Sequence, residues 1–182
     1  DEIECNNVLS RWSDNLGSCT LDEVPDLQIE QYVFTMSSSA EYKVSREKLF
    51  HSIERIGGDT GWYRFHVLWK IRGLVDRLTG GYGTRRGRRD PESLRIGDSL
   101  DFWKVVDIVP GNRLLLYSEM KLPCRGWLEF SIDDKRITTT AYFIPSGISG
   151  RLYWYSLYPI HKLLFYLMSK KIGSGNIIHP KE

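Results

Sequence analysis

The segment from Ser99 to Ile144 constrains the fold most, because apolar and polar residues alternate along it in four successive runs. Alternation with a period of two is typical of strands that have one buried face. Short turn-forming stretches separate the runs and predict an antiparallel meander. The predicted strands are Ser99–Val109, Arg113–Leu122, Gly126–Asp133 and Arg136–Ile144.

Helical periodicity flanks the meander on both sides. Before it, a first strand at Ile29–Ser37 leads to a helix with Ser45 as N-cap that ends at Gly57, and a second helix is predicted at 66–78. After it, one long helix runs from about Gly150 to Ile172, and a proline inside it either kinks or splits it. Its expected inward positions are Leu152, Tyr155, Leu163, Leu167 and Met168.

This element order predicts an α+β fold of the helix-grip type. A curved antiparallel sheet would wrap around the long C-terminal helix, with two helices between the first and second strands. We expect an N-terminal arm at 1–26, one domain at 27–172 and a polar tail at 173–182. A cavity between sheet and helix is the expected place for a small apolar ligand.

Composition restricts the class of protein. The chain has 182 residues, a net charge of +2 and a 13% aromatic share, so nucleic acid is an unlikely partner. Its three cysteines form no C-x-x-C pair, although Cys5 and Cys19 could pair with each other. With no export signal and no long apolar run, we expect a cytoplasmic protein that is not an integral membrane protein.

The loop "GGYGTRRGRRDPESLRIGD", from Gly80 to Asp98, places four arginines within five positions. The arginines either pair with nearby carboxylates of the protein or form an anion site at the cavity mouth. Nucleic acid or acidic lipid is a weaker third alternative. The third glycine comes one position too late for G-x-G-x-x-G, so we expect no NAD(P) and no other cofactor. The histidines lack metal-ligand spacing, and no metal is expected; His161 could face the cavity.

The charged residues of the strands leave two alternatives open. If their side chains point inward, Asp101, Glu119 and Glu129 lie in the cavity among tryptophans, and burial would raise their pKa values. If they point outward, they are solvated, and the alternate residues Leu116, Ser118, Met120, Leu128, Phe130 and Ile132 form the core. The aromatic final helix also leaves two alternatives. It could pack entirely in the core, or it could line the cavity on one side and contact a partner or a membrane surface on the other.

Several phrases carry a family resemblance: "GWYRFHVLWKIRGLVDRLTGG", "GTRRGRR", "GDSLDFWKV", "EMKLPCRGWLEF" and "FIPSGISGRLYWYSLYPIHKLLF". Together they resemble an uncharacterised domain often found C-terminal to atypical short-chain dehydrogenase/reductase-like NAD(P)-binding domains. That family is grouped with the START/Bet v 1-like (SRPBCC) helix-grip superfamily. The resemblance implies this fold and a separate NAD(P)-binding reductase as a partner. Cys124 departs from the family, which tends to have glycine there.

The leading functional prediction is a small-molecule-binding module for an apolar or aromatic, or acidic, ligand. The expected ligand-binding residues are Trp62, Arg86, Arg89, Trp103, Lys121, Trp127 and Tyr155. The alternative is a non-redox cyclase, dehydratase or isomerase that acts on a polyketide-like or aromatic substrate, with Glu119, Glu129 or Asp101 as acid/base. A second alternative is an accessory domain of a reductase.

Overall fold

The computed structural model describes residues 33–57, 88–119 and 124–175. The predicted N-terminal arm, the helix at 66–78 and the two cysteines Cys5 and Cys19 lie outside these ranges. The described residues form the strands β1 (Phe34–Glu41), β2 (Ser99–Leu100), β3 (Trp103–Val109), β4 (Arg113–Ser118), β5 (Cys124–Ile132) and β6 (Arg136–Pro145), and the helices α1 (Arg46–Glu54) and α2 (Gly147–Gly173).

The six strands form a single antiparallel sheet in the order β1-β6-β5-β4-β3-β2. Strands β2 to β6 follow one another as a meander, and β1 closes the sheet by pairing with β6 along its full length. The long helix α2 packs against one face of this sheet. The predicted helix-grip α+β fold is confirmed.

One predicted strand is broken by a turn. Ser99–Val109 forms the short strand β2, a tight turn at Asp101 and Phe102, and then β3, which folds back on β2. Asp101 has a φ of 59°, in the left-handed region that aspartate tolerates better than most residues. The alternating pattern continues through this turn, and so the sequence predicted one uninterrupted strand.

The first strand, at one edge of the sheet, ends later than predicted. The first strand extends to Glu41, past the expected end at Ser37, although its residues there are serines, alanine and glutamate. These polar residues still form ladder hydrogen bonds, and the hydroxyls of Ser37 and Ser39 meet threonine hydroxyls of β6. Pairing with β6 therefore overrides a weak strand propensity.

Helix α1 begins where its sequence predicts and ends at Glu54, three residues before the predicted end at Gly57. Ser45 is the N-cap, and its hydroxyl accepts a hydrogen bond from the backbone N–H of Lys48. At the other end, Arg88 donates to the carbonyl oxygens of Glu54 and Ile56 at 2.6 and 2.8 Å. A guanidinium at this position satisfies carbonyls that lack partners within the helix.

The main core lies between α1, α2 and one face of the sheet, which we call the inner face. Strand residues of the inner face include Leu114, Leu116, Leu128 and Phe130, and none of them is exposed. Each such side chain stabilises the fold by roughly 1.5–3 kcal/mol through burial. The opposite, outer face carries a smaller buried cluster of Val106, Leu115 and Trp127.

The rotation of α2 about its axis differs from the prediction. Of the five expected inward residues, only Met168 is fully buried, whereas Leu152, Tyr155 and Leu163 are 71%, 65% and 57% exposed. The buried stripe consists of Trp154, Leu164, Phe165, Met168 and Ile172. Because apolar residues surround the helix on all sides, periodicity alone could not identify the buried side.

Two close approaches fix α2 on the sheet. The hydroxyl of Ser169 lies 2.7 Å from that of Thr139, within the core, and also contacts the carbonyl oxygen of Ser38. At the helix end, a Cβ on Gly173 would lie 2.7 Å from the carbonyl oxygen of Glu41. Glycine at this position therefore lets the helix end contact the backbone after β1.

Candidate functional site

A cavity lies between the inner face of the sheet and the middle of α2. Its described lining is largely aromatic and comes from every central strand and from the helix. The side chains on the inner face and helix are those of Trp103, Ser118, Cys124, Ala141, Phe143, Tyr153, Trp154, His161 and Phe165, and Gly126 contributes backbone only. This position between sheet and helix is where the sequence predicted a ligand.

The cavity is small, and its polar groups include a serine hydroxyl and the imidazole of His161. Its volume is about 60 Å³, enough for a few water molecules, whereas ligand sites usually measure about 300–1,000 Å³. Ser118, on the inner face of β4, is only 8% exposed, and its hydroxyl has no hydrogen-bond partner among the described residues. A buried hydroxyl of this kind favours a water or ligand atom next to it.

The described members of the predicted ligand-binding set, Arg89, Trp103, Trp127 and Tyr155, are not brought together at one place. Trp103 is buried and lines the cavity. Trp127 borders it, but its ring packs on the outer face, 5.3 Å from the ring of Tyr117. Tyr155 is 65% exposed, and its ring lies 5.9 Å from that of Phe34 at the start of β1, outside the cavity lining, so the expectation that it faces inward is wrong. The remaining residues of that set, Trp62, Arg86 and Lys121, lie outside the described residues.

Arg89 forms an internal ion pair. Its Nε and one terminal nitrogen each donate to a carboxylate oxygen of Asp98 at 2.9 Å. The side chains of Arg89 and Asp98 are only 4% and 9% exposed. This bidentate geometry is the strong form of an arginine–carboxylate contact. The backbone N–H of Arg95 donates to the same carboxylate, so Arg89 and Asp98 together hold the loop before β2.

The three candidate acid/base carboxylates lie apart from the cavity. Glu129 is on the outer face, because its neighbours Leu128 and Phe130 occupy the inner face. Asp101 is in the turn between β2 and β3, and Glu119 follows the last residue of β4. None of these three described residues lines the cavity. The side chain of Glu129 therefore points outward, as in the second of the two alternatives. It is nevertheless only 17% exposed.

Glu129 belongs to a polar network on the outer face. It accepts a hydrogen bond of 2.8 Å from the hydroxyl of Tyr142 and lies 3.2 Å from Nε of Arg113. Arg113 also lies 3.3 Å from a carboxylate oxygen of Asp107. Burial, and then the contact with Glu129, raise the pKa of Tyr142 to about 12. The phenol therefore stays protonated and donates to Glu129 at any physiological pH.

Sequence reasoning missed several residues of the cavity. Ser118 was identified as a core-face position, but no pattern marked it as a polar group without a partner. Nothing in the sequence singles out Phe165 and Trp154, because four further aromatic residues lie nearby on α2. His161, which could have faced either way, lines the cavity and stacks on Phe165 at 5.6 Å.

Metal sites and membrane-spanning helices are both absent from the described ranges. No group of three or more histidine, cysteine or acidic side chains there is arranged to hold a metal ion. No helix within 33–57, 88–119 or 124–175 has the length and apolar character needed to cross a bilayer.

The fold and the cavity together define a helix-grip α+β protein with an aromatic space under its long helix. The chain belongs to a family described as "Protein of unknown function (DUF2867)", whose model matches residues 29–168. Comparison with curated proteins gives no match.

Solved structures that resemble the chain share little sequence with it. The Aha1 dimer from Colwellia psychrerythraea is 8% identical with a TM-score of 0.42, and the match covers 79% of this chain and 98% of that one. A protein from Chromobacterium violaceum is 11% identical with a TM-score of 0.35, covering 74% and 97%. Ara h 8.0201 is 12% identical with a TM-score of 0.29, covering 76% and 99%.

Proposed function

We propose that the protein is a small-molecule-binding module whose ligand lies between the inner face of the sheet and α2. The observation that supports this most is the aromatic cavity, with walls that include Trp103, Phe143, Trp154 and Phe165. One hydroxyl without a described partner, that of Ser118, lies among these rings. An apolar or aromatic compound with one polar atom matches such a lining.

The cavity must widen to accept such a compound, since about 60 Å³ holds only a few waters. Pro159 lies in α2 between Trp154 and His161, two residues that line the cavity. Proline has no N–H, so the helix lacks one hydrogen bond at this turn and bends there more easily than elsewhere. We infer that displacement of the helix around Pro159 admits the ligand.

The charge of the described lining favours a ligand without a strong acid. None of the described lining residues is a lysine or an arginine, and Arg89 is held by Asp98. None of the three predicted acid/base carboxylates lines the described part of the cavity, so the geometry supports binding better than acid/base catalysis by Asp101, Glu119 or Glu129. The reductase partner that the family resemblance implies stays a prediction.

Thermal unfolding with a panel of indole, naphthalene and naphthoic acid tests this proposal. A ligand that binds only the native state raises the Tm in a saturable, concentration-dependent way. We expect at least one neutral compound to do so with the wild-type protein. Gly126→Val, which projects a side chain from the cavity wall, should abolish the shift. Ser131→Val is the matched control, since it adds bulk to the outer face of the same strand.

If no compound raises the Tm, or if Gly126→Val responds like the wild type, the cavity is not the ligand site. A compound that is chemically converted during incubation would instead favour the enzymatic alternative.

A further inference from the structure

The exposed side of α2 carries an apolar stripe that borders β1. Its members recur at intervals of three and four residues, which places them on one side of the helix. We call them the α2 stripe: Ile148, Leu152, Tyr155, Pro159, Leu163 and Tyr166. The exposed fractions of Ile148, Leu152 and Leu163 are 86%, 71% and 57%. Large apolar residues in a continuous exposed row usually mark a contact surface.

The charged side chains of α2 are all basic. α2 contains Arg151, Lys162, Lys170 and Lys171 and no aspartate or glutamate along its 27 residues. Helical spacing places Arg151 and Lys162 along one border of the stripe and Lys170 at its C-terminal end. An anionic surface would therefore be attracted along the same side of the helix that offers apolar side chains.

We propose that the α2 stripe docks onto an anionic lipid surface, with the helix lying in the plane of the membrane interface. Helices that lie in this plane combine an apolar side with basic residues, as α2 does. Tyr155 and Tyr166 belong to the stripe, and tyrosine favours the headgroup level, where its ring and its hydroxyl are both accommodated. The inference goes beyond ligand binding in the cavity and does not depend on it.

A second copy of the chain fits this side of α2 less well. A symmetric dimer through the stripe would bring the same residues of both copies together. Arg151, Lys162 and Lys170 would then face like charges, with no acidic residue of α2 to compensate them. An anionic lipid surface would instead present phosphate groups, whose charge is opposite to that of these three side chains.

An open groove beside the stripe adds a concave element. It has a volume of about 590 Å³ and lies between α2 and β1. Tyr158, Pro159, Leu163 and Tyr166 form its apolar wall, and Lys162, Ser37 and Ser38 also line it. This combination of an apolar wall and a cation suits a lipid headgroup together with the start of its acyl chain.

Vesicle co-sedimentation tests the proposal on the full chain. Vesicles of phosphatidylcholine that also contain phosphatidylglycerol should bind the protein at least tenfold better than phosphatidylcholine alone, and added salt should weaken the binding. The double variant Lys162→Ala/Lys170→Ala should lower partitioning by roughly tenfold. Leu163→Ser should lower it by a similar factor, because apolar burial drives insertion.

Ile96→Ser is the matched control, since Ile96 is 61% exposed in the loop before β2, away from α2. It should bind vesicles like the wild type. Thermal unfolding of each variant shows whether it is folded, and exposed positions should leave the Tm unchanged. A Tyr166→Trp variant gives a second readout, since its fluorescence should shift to shorter wavelength on anionic vesicles.

Equal binding to neutral and anionic vesicles would overturn the proposal, as would unchanged binding by Leu163→Ser. A third result would also overturn it: the wild-type protein forms a dimer in solution and does not bind vesicles, and Leu163→Ser dissociates the dimer. The stripe would then join two copies of the chain.

Discussion

Replacement of Gly126 by alanine should stabilise the protein, because a methyl group at this position fits into the cavity and restricts the backbone of the unfolded chain. Gly126 lies within β5 and borders the cavity on the inner face. A Cβ built at this position would have Tyr142 O at 3.8 Å and Cβ of Ser118 at 3.9 Å as its nearest neighbours. Both distances are ordinary van der Waals contacts, so the methyl group fits without displacing any atom.

The expected gain has two parts. Empty core volume costs about 24 cal/mol per Å³, so filling all of the 60 Å³ would stabilise the protein by at most about 1.4 kcal/mol. One methyl group fills part of it. Alanine also replaces glycine inside a strand, which adds about 0.5–1 kcal/mol. We expect the free energy of unfolding to rise by about 1–2 kcal/mol, and the Tm by roughly 2–4 °C for each kcal/mol.

Urea unfolding of both proteins measures this change, and Gly173→Ala provides the control. The same substitution at Gly173 places its Cβ 2.7 Å from the carbonyl oxygen of Glu41, so it should destabilise the protein. A fall in stability for Gly126→Ala would refute the reasoning, because it would mean that the space is already filled. Equal effects at both glycines would show that backbone entropy alone decides the result.

Two further predictions concern the polar contacts of the structure. Arg89→Leu leaves the carboxylate of Asp98 buried without its partner, and should lower the free energy of unfolding by about 3–5 kcal/mol in urea. Arg136→Leu removes an exposed pair and should cost less than about 1 kcal/mol; equal losses would show that burial is irrelevant. The folded pKa of Tyr142, about 12, lies above its usual 10.0, so the native state binds more protons and its stability falls as pH rises between these values. Tyr142→Phe should make this fall shallower in urea titrations above pH 10, and an unchanged slope would contradict the raised pKa.

Much of the fold follows from the sequence because two periodicities dominate it. Alternation after Ser99 predicts the meander, and Ser45 with Gly57 correctly brackets α1. The turn at Asp101 was missed because its residues continue the alternation on both sides. The strand β1 continues through its serines to Glu41 because it pairs with β6, although its composition does not favour a strand there.

The candidate site was harder to predict than the fold. Alternation shows which strand residues share a face, but only packing against α2 shows which face is inner. The same limit applies to α2 itself, where Trp154 and Tyr155 differ by one position but the first is buried and the second is exposed. Charge and spacing gave no signal for Ser118, whose importance depends on the absence of a described partner.

Titration calorimetry with the panel compound that raises the Tm most tests the central claim directly. If the ligand lies between the sheet and α2, we expect saturable binding at one site by the wild-type protein, unchanged binding by Ser131→Val and no binding by Gly126→Val. Absence of saturable binding by every compound of the panel, or equal binding by the wild type and Gly126→Val, would contradict it.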